Sequence, residues 1–233
     1  DIAIFQELSS CPAIMETFKA ADAYGCVKGN SVQQADAEQA YIQSKLGGVP
    51  TWVRLPPERR PLSWRGFRDP CCPLRLSLYG HPDAGGFWEK HSEAHLLSIG
   101  FKPIADWRST YWHAKLQLLL VVYVDDFKLS GPSKAVAEGW RLIRRGIKTD
   151  DPQPANLCLG CKHDFFRDGT AQCVAYNMED FLVSCVQRYQ SLAGPRGANL
   201  RHVDTPYVED PNAFVRYPKA KAAPKAKPSP SKS

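Results

Sequence analysis

The stretch Leu118-Leu119-Leu120-Val121-Val122-Tyr123-Val124-Asp125-Asp126-Phe127-Lys128-Leu129 decides the fold. An apolar run of this length is too short to cross a bilayer and reads as a buried strand; two acids then mark a turn, and a short return strand follows. Most Asp-Asp turns only satisfy local backbone donors. A third acid, Asp36, ends another short strand, Val32 to Asp36. A sheet pairing these strands would gather Asp36, Asp125 and Asp126 at one edge. Carboxylates so gathered repel unless a cation neutralises them, and hard oxygen donors select Mg2+ or Mn2+. That is the outline of a two-metal phosphoryl-transfer site.

Outward from this hairpin, strands and helices mix without strict alternation, which predicts an α+β fold: an antiparallel sheet with helices packed on one face. Helices are expected from Ser10 to Gly25 (Ser10 as cap, Pro12 in the first turn), over Ala37 to Leu46, Phe87 to Ile99, Lys134 to Ile147 and Glu179 to Leu192. Further strands are expected over Thr51 to Leu55, Leu74 to Tyr79, Thr110 to Ala114, Leu157 to Lys162 and Ala171 to Tyr176.

The 233 residues are 43% hydrophobic and 23% charged, which excludes a disulfide-stapled peptide and wholesale disorder. The chain opens at Asp1 with neither Met nor a charged-then-apolar leader, so it reads as a piece of a longer protein, intracellular rather than secreted. Its net charge of +6 equals the six cations between Pro211 and Ser233, a stretch with no acid and five of the 19 prolines. Residues 208–233 are therefore expected to be a disordered basic tail, either a solubilising extension or a loose phosphate contact. Of the eight cysteines, Cys71 and Cys72 are adjacent and Cys158/Cys161 lack a second pair, so reduced thiols are favoured over zinc ligands. His91 and His95 read as residues of a helix face.

Between Arg54 and Arg68, Arg54, Arg59, Arg60, Arg65 and Arg68 interleave with Trp64 and Phe67, and Trp52 stands just before. Guanidinium groups pair phosphates while rings stack on bases, so the loop suits nucleic-acid binding; a solvated loop pinned by its aromatics is the other reading.

Several segments in order carry a resemblance: Asp36-Ala37-Glu38-Gln39-Ala40-Tyr41, Leu76-Ser77-Leu78-Tyr79-Gly80-His81, Tyr123-Val124-Asp125-Asp126, Leu157-Cys158-Leu159-Gly160-Cys161, Met178 to Tyr189 and Val203-Asp204-Thr205-Pro206. Together they resemble the reverse transcriptase of copia-type retrotransposons over roughly residues 30 to 207. The resemblance implies a polymerase palm over 31–207, preceded by a partial fingers segment over 1–30, with the start of a thumb or connection behind it. It implies an RNA-directed DNA polymerase in which Asp36 and Asp125 hold two Mg2+ or Mn2+ ions and Asp126 supports them. Tyr41 would be the gate against a ribose 2′-hydroxyl, or a core aromatic; Tyr123 would line the primer end, or pack its strand. The implied partners are an RNA or DNA template-primer, deoxynucleoside triphosphates and other segments of a Pol polyprotein, with no membrane. Where the family usually has Leu-Lys-Gln-Ala-Pro-Arg after Tyr-Gly, this chain has His81-Pro82-Asp83-Ala84-Gly85-Gly86. Asp83 facing a triphosphate would be repulsive unless it met a metal or turned away. The alternative to an enzyme is an inactive retroelement relic that binds nucleic acid.

Overall fold

The structure, a computed structural model, describes residues 12–194 and residue 200. Helix α1 (Met15–Gly25) leads into strand β1 (Asn30–Asp36) and a 3-10 turn over Ala40–Gln43. A two-stranded ribbon, β2 (Trp52–Arg54) and β3 (Cys71–Pro73), precedes helix α2 (Ala84–Ser98). Strands β4 (Lys102–Ile104), β5 (Trp107–His113), β6 (Leu118–Tyr123) and β7 (Asp126–Pro132) follow, then helix α3 (Ser133–Ile143) and β8 (Gln153–Pro154). The described part closes with β9 (Leu157–Cys158), β10 (Cys161–Asp168), β11 (Ala171–Asn177) and helix α4 (Glu179–Ala193). Internal contacts divide the chain into residues 1–183 and 184–233; the described part of the second unit is 184–194, most of α4 and Gly194, together with Leu200. The fold is α+β. The main sheet has the order β4-β5-β6-β7-β1-β8 with every pair antiparallel.

The uninterrupted apolar run of β6 is explained by burial on both faces. Leu118, Leu120 and Val122 join Phe127 and Leu129 of β7 in a core with Trp88 and Leu96 of α2 and Val136, Trp140 and Ile143 of α3. Leu119 and Val121 point the other way, onto Phe18 and Ala21 of α1 and Cys158. The expectation of helices on one face is thus corrected: α1 covers the opposite face. Helix α3 lies so close to the sheet that a Cβ at Gly139 would collide with the Leu118 and Leu129 side chains.

Three other expectations are corrected. Ala37 to Leu46 forms only the short 3-10 turn, because the surrounding chain claims its backbone groups: the Glu38 N–H donates to Lys148 O, the Gln43 amide donates to Glu38 O and Lys148 O, and Gln39 sits at φ +49°. Leu74 to Tyr79 is no strand; it forms an isolated bridge, Lys45–Leu76, and its Leu74 N–H donates to Thr51 O. Helix α3 ends at Ile143, where His95 Nε2 lies 2.9 Å from Ile143 O and 3.2 Å from Leu142 O, carbonyls that also accept from the Ile147 and Arg145 N–H groups of the turn that follows. Helix α1 begins at Met15 behind Ile14, with no side-chain cap; Ser10, like the segment Val203 to Pro206 and the basic tail, lies outside the described residues. All seven described cysteines are free thiols, and burial pushes the Cys158 thiol up to about 11. No helix among the described residues is long and apolar enough to cross a membrane.

Candidate active site

The antiparallel register of β1 and β7 sets Asp36 directly opposite Asp126, and the register of β6 and β7 sets Tyr123 opposite Asp126 on its other side. Val124 and Asp125 form the two-residue tip between them. Val124 sits at φ +58°, a strained conformation for a β-branched residue. Its neighbours hold it there. Trp88 Nε1 donates to Val124 O at 2.6 Å, and the Ala37 N–H donates to Asp125 O at 2.7 Å. Asp36 is clamped in turn, since its N–H donates to Asp150 Oδ1 at 2.8 Å and its carbonyl accepts from the Asp150 N–H at 3.0 Å.

The three acids form one electrostatic unit. Asp36 and Asp125 are exposed, whereas Asp126 is half-buried. Burial, then a hydrogen bond with the Asp36 side chain, then the charges of Asp36 and Asp125 push the Asp126 carboxyl up to about 7, against the opposing pull of Lys128. The raised value marks the place where negative charge is concentrated without a nearby cation strong enough to offset it. Among the described residues no three His, Cys, Asp or Glu side chains converge closely enough to cage an ion. The donor chemistry nevertheless suits a hard divalent cation: carboxylate oxygens only, excess negative charge, and solvent access through Asp36 and Asp125. Asp36, Asp125 and Asp126 are the residues that would hold it.

The two tyrosines flank this cluster. Tyr41 stacks on Tyr79 with ring centroids 4.5 Å apart and packs against the edge of the larger core. Burial, followed by the charges of Asp125 and Tyr79, raises its phenol, so its hydroxyl lies within electrostatic reach of Asp125. Tyr123 is half-buried and meets the Phe18 ring edge-on at 6.2 Å. Asp83 precedes α2 and is only 5% exposed, turned in from solvent, and its Oδ1 has no hydrogen-bond partner among the described residues.

The arginines divide into two groups. Arg54 is tied to Asp69 at 2.8 Å, and Arg60 reaches the same carboxylate at 3.9 Å while donating to Leu55 O. Arg59, Arg65 and Arg68 are exposed and form no ion pair among the described residues, and the rings of Trp52 and Phe67 are exposed as well. His91 and His95 share α2, and His95 is spent on the end of α3.

Sequence reasoning missed Asp150 and Trp88 as supports of the acids. Asp150 lies in a Thr149-Asp150-Asp151 run with no spacing signal, and Trp88 reads simply as core. No family model matches the chain, and no curated protein matches it either.

Proposed function

We propose that the chain carries the palm-type domain of a copia-type reverse transcriptase, an RNA-directed DNA polymerase acting through Asp36, Asp125 and Asp126. The observation that carries this reading is the strand register that puts Asp36 opposite Asp126, beside a strained hairpin tip bearing Asp125. In the reaction the primer 3′-oxygen bonds to the α-phosphorus of a deoxynucleoside triphosphate and pyrophosphate leaves. Bound Mg2+ or Mn2+ would supply Lewis-acid activation of the hydroxyl and charge neutralisation at the leaving group. The chain's own part is positioning. Asp150 and Ala37 fix the backbone around Asp36 and Asp125, Trp88 pins the tip, and the mutual repulsion of the three carboxylates favours a bound cation.

Tyr41, stacked on Tyr79 near Asp125, suits the gate beside the incoming sugar. Arg59, Arg65 and Arg68 are the cations free to meet a template-primer, whereas Arg54 and Arg60 shape the loop through Asp69. The inward turn of Asp83 removes its carboxylate from a position where it would repel a triphosphate.

Primer extension on an RNA template with Mg2+ tests the reading. The chain should add nucleotides, and Asp125→Asn should lower the rate about 10^3-fold, equivalent to about 4 kcal/mol of lost transition-state stabilisation. Binding of template-primer without Mg2+-dependent extension would instead favour the inactive relic.

A further inference from the structure

Two residues along β7 from Asp126 lies a cluster that the site above does not use. Asp126, Lys128 and Ser130 share one face of the strand by its pleat, opposite to Phe127 and Leu129. Lys128 is 1% exposed and Asp22 of α1 is fully buried, with Lys128 Nζ 2.8 Å from Asp22 Oδ1. His163 of β10, also buried, places Nδ1 3.2 Å from Lys128 Nζ and 3.3 Å from Asp22 Oδ2. Tyr176 of β11 donates its hydroxyl to Asp22 Oδ2 at 3.1 Å. His163 and Tyr176 are cross-strand partners, so the cluster joins α1 and β7 to the β9–β11 sheet at one point.

A buried ion pair adds little stability over well-packed apolar residues of similar size, and in some proteins its role is to fix one geometry. We propose that Lys128 is a positioning residue of the polymerase site: through Asp22, His163 and Tyr176 it fixes the seat of the β10–β11 hairpin on β7, and thereby the placement of Asp126 against Asp36. The inference rests on the polymerase reading.

The test is the double variant Asp22→Leu/Lys128→Met, which removes both charges together and leaves neither stranded. With folding verified by circular dichroism, Mn2+ affinity should fall about 10-fold and kcat for primer extension by a similar factor, while KM for template-primer stays within about 2-fold. Hydrogen exchange should quicken over Lys162–Asn177 and stay slow in β6 and β7. A folded double variant with wild-type Mn2+ affinity and kcat overturns the proposal, because a purely structural cluster predicts that result. If the double variant does not fold, Tyr176→Phe decides: it keeps the ion pair and should weaken Mn2+ binding about 3-fold, and unchanged binding overturns the proposal. A wild-type chain that binds no Mn2+ sensitive to Asp125→Asn overturns the polymerase reading and the proposal together.

Discussion

Asp126 carries the site's stored repulsion. Its ordinary carboxyl value of 3.8 is raised to about 7, so between those values the native chain keeps a proton that the unfolded chain has released. By linkage, the contribution of Asp126 to stability is fully present below this window and is lost as pH rises through it. Thermal melts should therefore show Asp126→Asn gaining on the wild type as pH goes from about 4 to about 8, and millimolar Mg2+ at about pH 8 should narrow the gap. A constant difference across pH would show that Asp126 is not held protonated by its neighbours. Tyr41 offers a second residue-level outcome. Tyr41→Ala removes the stack on Tyr79, at a cost of about 1–2 kcal/mol in unfolding experiments. Single-nucleotide incorporation should show ribonucleotides gaining on deoxynucleotides, whereas a ring that merely packs would lower both in parallel.

Among the elements, β6 and β7 were the most legible, because an apolar run followed by two acids admits few other structures. Legibility failed where tertiary contacts override local pattern. The segment from Ala37 to Leu46 has helical composition, yet hydrogen bonds to Lys148, about a hundred residues away in sequence, hold it as a loop. Lys128 gave no signal either, since a lysine in a return strand reads as solvent-facing until α1, β10 and β11 are seen around it. The acids were found through spacing, but their supports Trp88 and Asp150 come from distant segments that no short motif connects. At this level the single change Lys128→Met should destabilise the chain by about 3–5 kcal/mol in denaturant titration, since it leaves the Asp22 carboxylate buried without its cation. Restoring balance with Asp22→Leu should recover most of that loss.

Across the whole molecule, charge and chemistry are segregated. The acids cluster at one end of the β1–β7 pair, exposed arginines stand on the loop that follows β2, and the net charge of +6 is accounted for by the cations beyond Pro211. Deleting residues 211–233 should weaken template-primer binding at low salt and flatten the slope of log K against log salt by up to about 5, the release expected for six phosphate contacts. Extension at saturating template-primer should survive. An unchanged slope would assign the tail no phosphate contact. The central claim, that Asp36, Asp125 and Asp126 form one hard-cation site, is tested most directly by counting bound Mn2+ by electron paramagnetic resonance with a deoxynucleoside triphosphate present. The account predicts two ions per chain in the nucleotide complex, one more than the nucleotide binds alone, with loss of affinity and of the added ion in Asp36→Asn and in Asp125→Asn. Mn2+ binding that is absent, or indifferent to both substitutions, would contradict it.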